Sequence, residues 1–124
     1  MKAPLSLRVT LALAAALNLL GTLVFGSAAL SHPLMALPLA PPPFYAAQIA
    51  LTIALFGGVY AWLAGQAVIN RPLLLVGALG KVGFFLLFVA FALAGDLGRA
   101  QVIQALPDLL FGGVFLGYLA RSRG

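Results

Sequence analysis

Apolar residues dominate the chain in long runs, and the polar breaks between them come at spacings of membrane-crossing length. From 9 to 70 there is no Asp, Glu, Lys or Arg. Roughly 20 apolar residues span a bilayer, so that stretch holds two crossings, and the remainder holds two more. The pattern predicts helices over about 5–30, 44–67, 72–94 and 100–120. The breaks between them carry turn and helix-start signals. Ser31-His32-Pro33 is followed by Pro38, Pro41, Pro42 and Pro43. Proline fixes φ and lacks the amide donor, so this segment reads as an extended or re-entrant loop at the membrane surface. Arg71-Pro72 makes a tight connection, with Pro72 in a first helical turn. Gly95-Asp96-Leu97-Gly98-Arg99 reads as a turn. The expected fold is all-α: a polytopic four-transmembrane-helix bundle, one domain over residues 1–124 with no soluble module.

Composition narrows this further. Of 124 residues, 64% are hydrophobic and 7% charged, against about 25% charged in soluble domains, so the chain cannot cover a water-soluble surface. Lys2 and Arg8 ahead of an apolar run also resemble a signal peptide, but a signal core is about 7–15 residues. The apolar run here has the length of a full span, which favours a retained helix. The net charge of +5 is spread over helix ends and does not indicate nucleic-acid binding. Lys2, Arg8, Arg71, Arg121 and Arg123 fall on one side of a four-span topology and Arg99 on the other. The positive-inside rule then places both termini in the cytoplasm, and the expected location is a bacterial cytoplasmic (inner) membrane. Cysteine is absent, which excludes thiolate nucleophiles, iron–sulfur clusters and Cys-based zinc sites. His32 is the sole histidine and reads as a loop residue, so no metal site is expected.

Polar groups inside the spans carry the candidate chemistry, because an ionisable side chain there is costly unless paired or hydrated. Lys81 lies nine positions after Pro72, about 13–14 Å into the membrane and near its midplane. Asp108 is the only acid within a span, at a depth of about 12 Å from the other face. The two form a candidate intramembrane pair. Pro107 would free the Ile103 carbonyl as a second acceptor for Lys81. The competing reading makes Asp108 a first-turn acid of a short helix, favoured by the helix dipole. A buried pair can also be architectural. Asn18 is a third midplane residue, with Thr22 one turn on. Tyr45, Gln48 and Thr52 share a face of the second helix. Together these five could line a polar pocket, or serve as interhelical hydrogen-bonding groups, averaging about 0.6 kcal/mol each. Tyr60 and Trp62 read as interfacial anchors. Gly113 and Gly117 are four apart, a spacing that lets helices approach, either within the chain or at an interface with another.

The segments PLLLVGALGKVGFF (72–85) and PDLLFGGVFLGY (107–118) resemble a group of small uncharacterised bacterial four-helix membrane proteins, broadly similar in architecture to DoxX-like proteins. In these a Gly-Lys on helix three is followed by an Asp near the start of helix four, matching Gly80, Lys81 and Asp108. The resemblance covers mainly the C-terminal half and implies architecture, with no known chemistry. Three functions remain open. The first is a non-enzymatic accessory or complex subunit whose charged pair organises the bundle. The second is a small-solute or lipid carrier using the polar pocket. The third is a membrane redox or isoprenoid enzyme with a quinone-like cofactor. The expected partners are membrane lipid and a second copy or larger membrane complex, with no nucleic acid.

Overall fold

The computed structural model describes residues 2–26 and 42–122. Within these the chain is helical, with no strand. Its elements are α1 (Leu5–Gly26), α2 (Pro43–Ala64), α3 (Arg71–Leu93), α4 (Arg99–Gln104) and α5 (Leu106–Arg121). Four segments are long and apolar enough to cross a membrane: α1, α2, α3, and α4 with α5 taken together as Arg99–Arg121. At 1.5 Å per residue, the 22–23 residues of each segment give about 33–35 Å, enough for a hydrocarbon core of roughly 30 Å. The residues predicted as the Pro-rich loop up to Pro41, His32 and the end of the first predicted helix lie outside the described residues.

The helix ends follow from local chemistry. Pro43 and Pro72 occupy first-turn positions, where the missing N–H is no loss. The Asn70 side chain caps α3 by accepting from the Leu73 amide at 3.1 Å. At the other end of α3, Gly95 takes φ 89°, a left-handed conformation that glycine adopts without a Cβ penalty. Its amide donates to the Ala92 carbonyl and that of Asp96 to the Phe91 carbonyl, closing the helix with a Schellman pair. The fourth predicted helix differs from expectation. It breaks at Ala105, two residues before Pro107. The Ala105 amide still reaches the Gln101 carbonyl, and the Asp108 amide reaches Ala105, so the chain continues across as two joined pieces.

The helices pack as two pairs, α1 with α2 and α3 with α5, and the pairs meet more sparsely. The buried core lies toward the end that carries the described N- and C-terminal residues. Leu7, Leu11 and Ala14 of α1, Tyr60 and Leu63 of α2, Leu74 and Ala78 of α3 and Phe115 of α5 form it, with Ile69 from the connection. The same end is tied by polar contacts. The Ala3 amide donates to the Ala67 carbonyl at 2.7 Å. Arg8 Nε donates to the Ala64 carbonyl at 2.8 Å, and Arg71 donates to the Leu119 carbonyl at 2.8 Å and to the Ser122 hydroxyl. Both arginines therefore satisfy carbonyls left open at helix C-termini, where cations are favoured. Long apolar side chains such as Leu13, Leu19, Leu51, Leu55, Leu79 and Leu87 remain exposed, as expected of surfaces solvated by lipid tails.

Glycines set the closest approaches, though not those of the expected pair. A Cβ at Gly112 would stand 2.6 Å from Val82 Cγ2 and 3.2 Å from Lys81 Cβ, and one at Gly77 2.8 Å from Tyr60 Cε1. A Cβ at Gly113 would meet nothing within 4 Å, and one at Gly117 only Arg121 of its own helix. The α3–α5 contact runs through the neighbouring glycine, which shares the face that carries Asp108 and Phe115.

Candidate intramembrane site

The depth arithmetic that singled out Lys81 and Asp108 corresponds to a contact. Lys81 lies ten residues into α3, about 15 Å along the helix, and Asp108 nine residues into the Arg99–Arg121 span, about 13–14 Å from the opposite end. Lys81 Nζ donates to Asp108 Oδ1 at 2.8 Å. It also donates to Asn18 Oδ1 at 2.6 Å, so Asn18, rather than the Ile103 carbonyl, supplies the second acceptor; Ile103 is exposed. Asn18 Nδ2 in turn donates to the Ile53 carbonyl at 2.9 Å. This hydrogen-bonded chain links α5, α3, α1 and α2 in one layer. The two bonds from Lys81 are charge-assisted, a kind about twice as strong as neutral ones.

The two readings of Asp108 prove compatible. Asp108 sits in the first turn of α5 with Pro107 beside it, and it pairs with Lys81 as well. The short α4 completes the crossing that a helix beginning at Pro107 could not make alone. The aromatic wall around the ammonium was not anticipated. Lys81 Nζ lies 5.1 Å from the Tyr60 ring centroid and 5.6 Å from that of Phe111, within cation–π range. Tyr60, expected as an interfacial anchor, is instead buried, and its hydroxyl donates to the Gly77 carbonyl at 2.7 Å. The reason is Gly77 itself: without a Cβ there, the ring lies against α3 and the hydroxyl reaches the backbone. Trp62, expected alongside it, is exposed.

Beyond this layer, toward the end away from the packed core, lies a cavity of about 270 Å³. Its walls come from Leu17, Leu20, Gly21, Val24 and Phe25 of α1, Thr52, Ile53 and Phe56 of α2, and Gly80, Phe84 and Phe88 of α3. Asn18, Tyr60, Lys81, Gln104 and Asp108 also contribute to its lining. Of the five residues expected to line a polar pocket, Asn18 and Thr52 do so. Thr22, Tyr45 and Gln48 do not. The Thr22 hydroxyl donates to the Asn18 carbonyl of its own helix, and Thr52 does the same to the Gln48 carbonyl. Tyr45 and Gln48 are exposed. Gln104, which sequence reasoning passed over, also joins the lining; it lies four residues before Asp108, the spacing that places two side chains on one helix face.

Comparison with known proteins gives no match to a protein-family profile, a curated sequence or a solved structure. The site is therefore read from its own chemistry. Among the described residues no group of three or more His, Cys, Asp or Glu could hold a metal ion. Asp108 is more exposed than Lys81, with side-chain exposures of 14% and 5%. The cavity thus combines apolar walls with one compact polar end that carries no net formal charge.

Proposed function

We propose that this chain is a non-enzymatic integral membrane protein that binds a small amphiphile in its intramembrane cavity, as a lipid- or small-solute-handling carrier does. The observation that carries this reading is the cavity itself: apolar walls from three helices converging on a polar layer centred on Lys81 and Asp108. Ligand sites have this composition, mostly apolar with a few placed polar groups, and sizes of about 300–1,000 Å³. The cavity is close to the lower bound, which fits a slim molecule. The test is mass spectrometry of the protein extracted with its native lipids. The wild type should retain a stoichiometric small amphiphile that a Thr52→Trp variant loses. Thr52 lines the cavity and its hydroxyl bonds only its own helix, so the substitution fills space without breaking a bond between helices. Equal retention by both proteins would refute the reading.

The accessory-subunit reading is favoured by a different observation. Gly58, Gly83 and Gly113 have open space where a Cβ would stand, so a helix from a second copy or another membrane protein could approach closely there. Co-purification of a partner in mild detergent, lost on Gly113→Leu, would support it. For location we propose a bacterial cytoplasmic membrane with both termini cytoplasmic, on the strength of the basic residues at the terminal side. A relationship to DoxX-like proteins is proposed on the Gly80-Lys81 and Asp108 pattern alone.

A further inference from the structure

The polar end of the cavity restricts what the ligand's head can be, a restriction that rests on the binding reading above. Lys81 and Asp108 cancel in formal charge and already engage one another at 2.8 Å. An anionic head would meet the Asp108 carboxylate, and a cationic head would meet the Lys81 ammonium. The layer is also deep, about 13–15 Å from either end of its spans. A phosphate-bearing or zwitterionic head would have to leave the membrane interface to reach it, and ionised groups at that depth are costly. The head is therefore small and uncharged.

Donor and acceptor capacity decide its chemistry. Lys81 has three N–H donors. Two are committed to Asn18 and Asp108, and the ammonium is flanked by the Tyr60 and Phe111 rings. A carboxylate accepts about four hydrogen bonds, and Asp108, the more exposed partner, faces the cavity. Only Oδ1 of Asp108 bonds Lys81, so the carboxylate has further acceptor sites, which suit a ligand that donates. From this layer the cavity runs between Val24 and Phe84 as far as Phe88. Lys81 to Phe88 is seven residues along α3, about 10 Å, a path for a narrow apolar tail.

We propose that the cavity takes an uncharged single-chain amphiphile head first, with a hydroxyl donating to the Asp108 carboxylate and the tail lying against Val24, Phe84 and Phe88. A long-chain alcohol is the simplest member of this class.

The experiment uses the full chain in phosphatidylcholine vesicles and a dodecanol carrying a diazirine near its tail end. Photolabelling, located by peptide mass spectrometry, should fall on the cavity helices and drop at least fivefold in Thr52→Trp. Unlabelled dodecanol should compete at least tenfold more strongly than dodecyl methyl ether, which has the chain but no donor, and than dodecanoate or dodecylammonium. In Lys81→Met with Asp108→Leu, which removes the charged pair and the proposed acceptor while the cavity walls stay, the alcohol's advantage over the ether should disappear. Circular dichroism and gel filtration of each variant verify that it is folded. If alcohol and ether compete equally at the wild-type cavity, the hydroxyl assignment is wrong while the binding reading stands. If the carboxylate or the ammonium competes best, the uncharged-head assignment is wrong. If no probe labels the cavity and Thr52→Trp changes nothing, the binding reading fails with it.

Discussion

Removing the charges of the Lys81–Asp108 pair singly and together tests whether the polar layer holds the bundle. Breaking a buried ion pair by removing one partner costs about 3–5 kcal/mol, because the survivor is left uncompensated. Lys81→Met strips two acceptors at once, Asp108 Oδ1 and Asn18 Oδ1. Asp108→Asn removes one partner and leaves Lys81 its bond to Asn18. Lys81 and Asp108 both border the cavity, where water can relieve part of the survivor's isolation, which brings both single losses to the lower end of the range, about 3 kcal/mol each. Additivity would then give about 6 kcal/mol for the double variant. Contacting residues couple by up to about 3 kcal/mol, so the double variant should cost only about 3 kcal/mol, no more than either single change. It does not return to wild type because the Asn18 carbonyl oxygen stays without its donor, a loss of about 1–3 kcal/mol for a buried group. Reversible unfolding in mixed micelles, followed by circular dichroism, measures all four corners of the cycle. A double variant whose loss equals the sum of the singles would mean that the charges stabilise independently, and the layer would lose its claim to organise the bundle.

Three further outcomes follow from the packing and charge. Gly112→Ala should destabilise by about 1–3 kcal/mol, since its Cβ would stand 2.6 Å from Val82 and only small shifts are open in a packed contact. Gly113→Ala, facing open space, should be neutral or gain up to about 1 kcal/mol from helix propensity; the same unfolding assay compares them, and equal effects would contradict the packing of α3 on α5. Tyr60→Phe should cost about 0.5–1.5 kcal/mol, the net worth of one buried hydrogen bond, because the Gly77 carbonyl keeps its partner within the helix, and an unchanged midpoint would show that the bond contributes nothing. Cysteine at Asp96 should react with a membrane-impermeant thiol reagent in intact cells while cysteine at Ala67 should not, and the reverse pattern would invert the proposed topology.

Much of this arrangement is legible in the chain because membrane constraints are strict. Length and hydropathy locate the spans, since backbone groups in lipid must be satisfied within a helix. Depth arithmetic brings Lys81 level with Asp108, because each lies on a straight element of known rise. What depends on rotation about the helix axis is not legible in the same way. Tyr45 and Gln48 share a helical face, but a small hydrophobic contrast around α2 gives no indication of which face turns inward, and it is Ile53, Phe56 and Tyr60 that do. Gly112 and Gly113 are adjacent and chemically identical, so only the packed structure separates the contact from the open position. The break at Ala105 was obscured because Pro107 satisfies both a kinked helix and a helix start. The role of Arg8 and Arg71 at helix C-termini was hidden behind their equally valid reading as topology signals.

The position of the polar layer explains why a bundle so short can keep a cavity. Lipid tails are as apolar as the helix surfaces, so burial of Leu and Phe supplies little drive for association in a membrane, and close packing and polar contacts must do it. Near the terminal residues both are present: Leu63, Leu74 and Phe115 interlock, and Arg8 and Arg71 clasp neighbouring helix ends. Halfway across, the Asp108–Lys81–Asn18–Ile53 chain joins the α1–α2 pair to the α3–α5 pair. Past that layer the described residues show no comparable interlocking core, and the pairs are separated by the cavity. The layer thus closes the packed half and forms the floor of the open half. Its charges have two consequences from one placement: they resist separation of the helix pairs, and they present a carboxylate at the bottom of an apolar cleft. A variant that abolishes ligand retention by removing Asp108 would therefore also loosen the bundle, whereas Thr52→Trp, acting on the walls alone, separates the two roles.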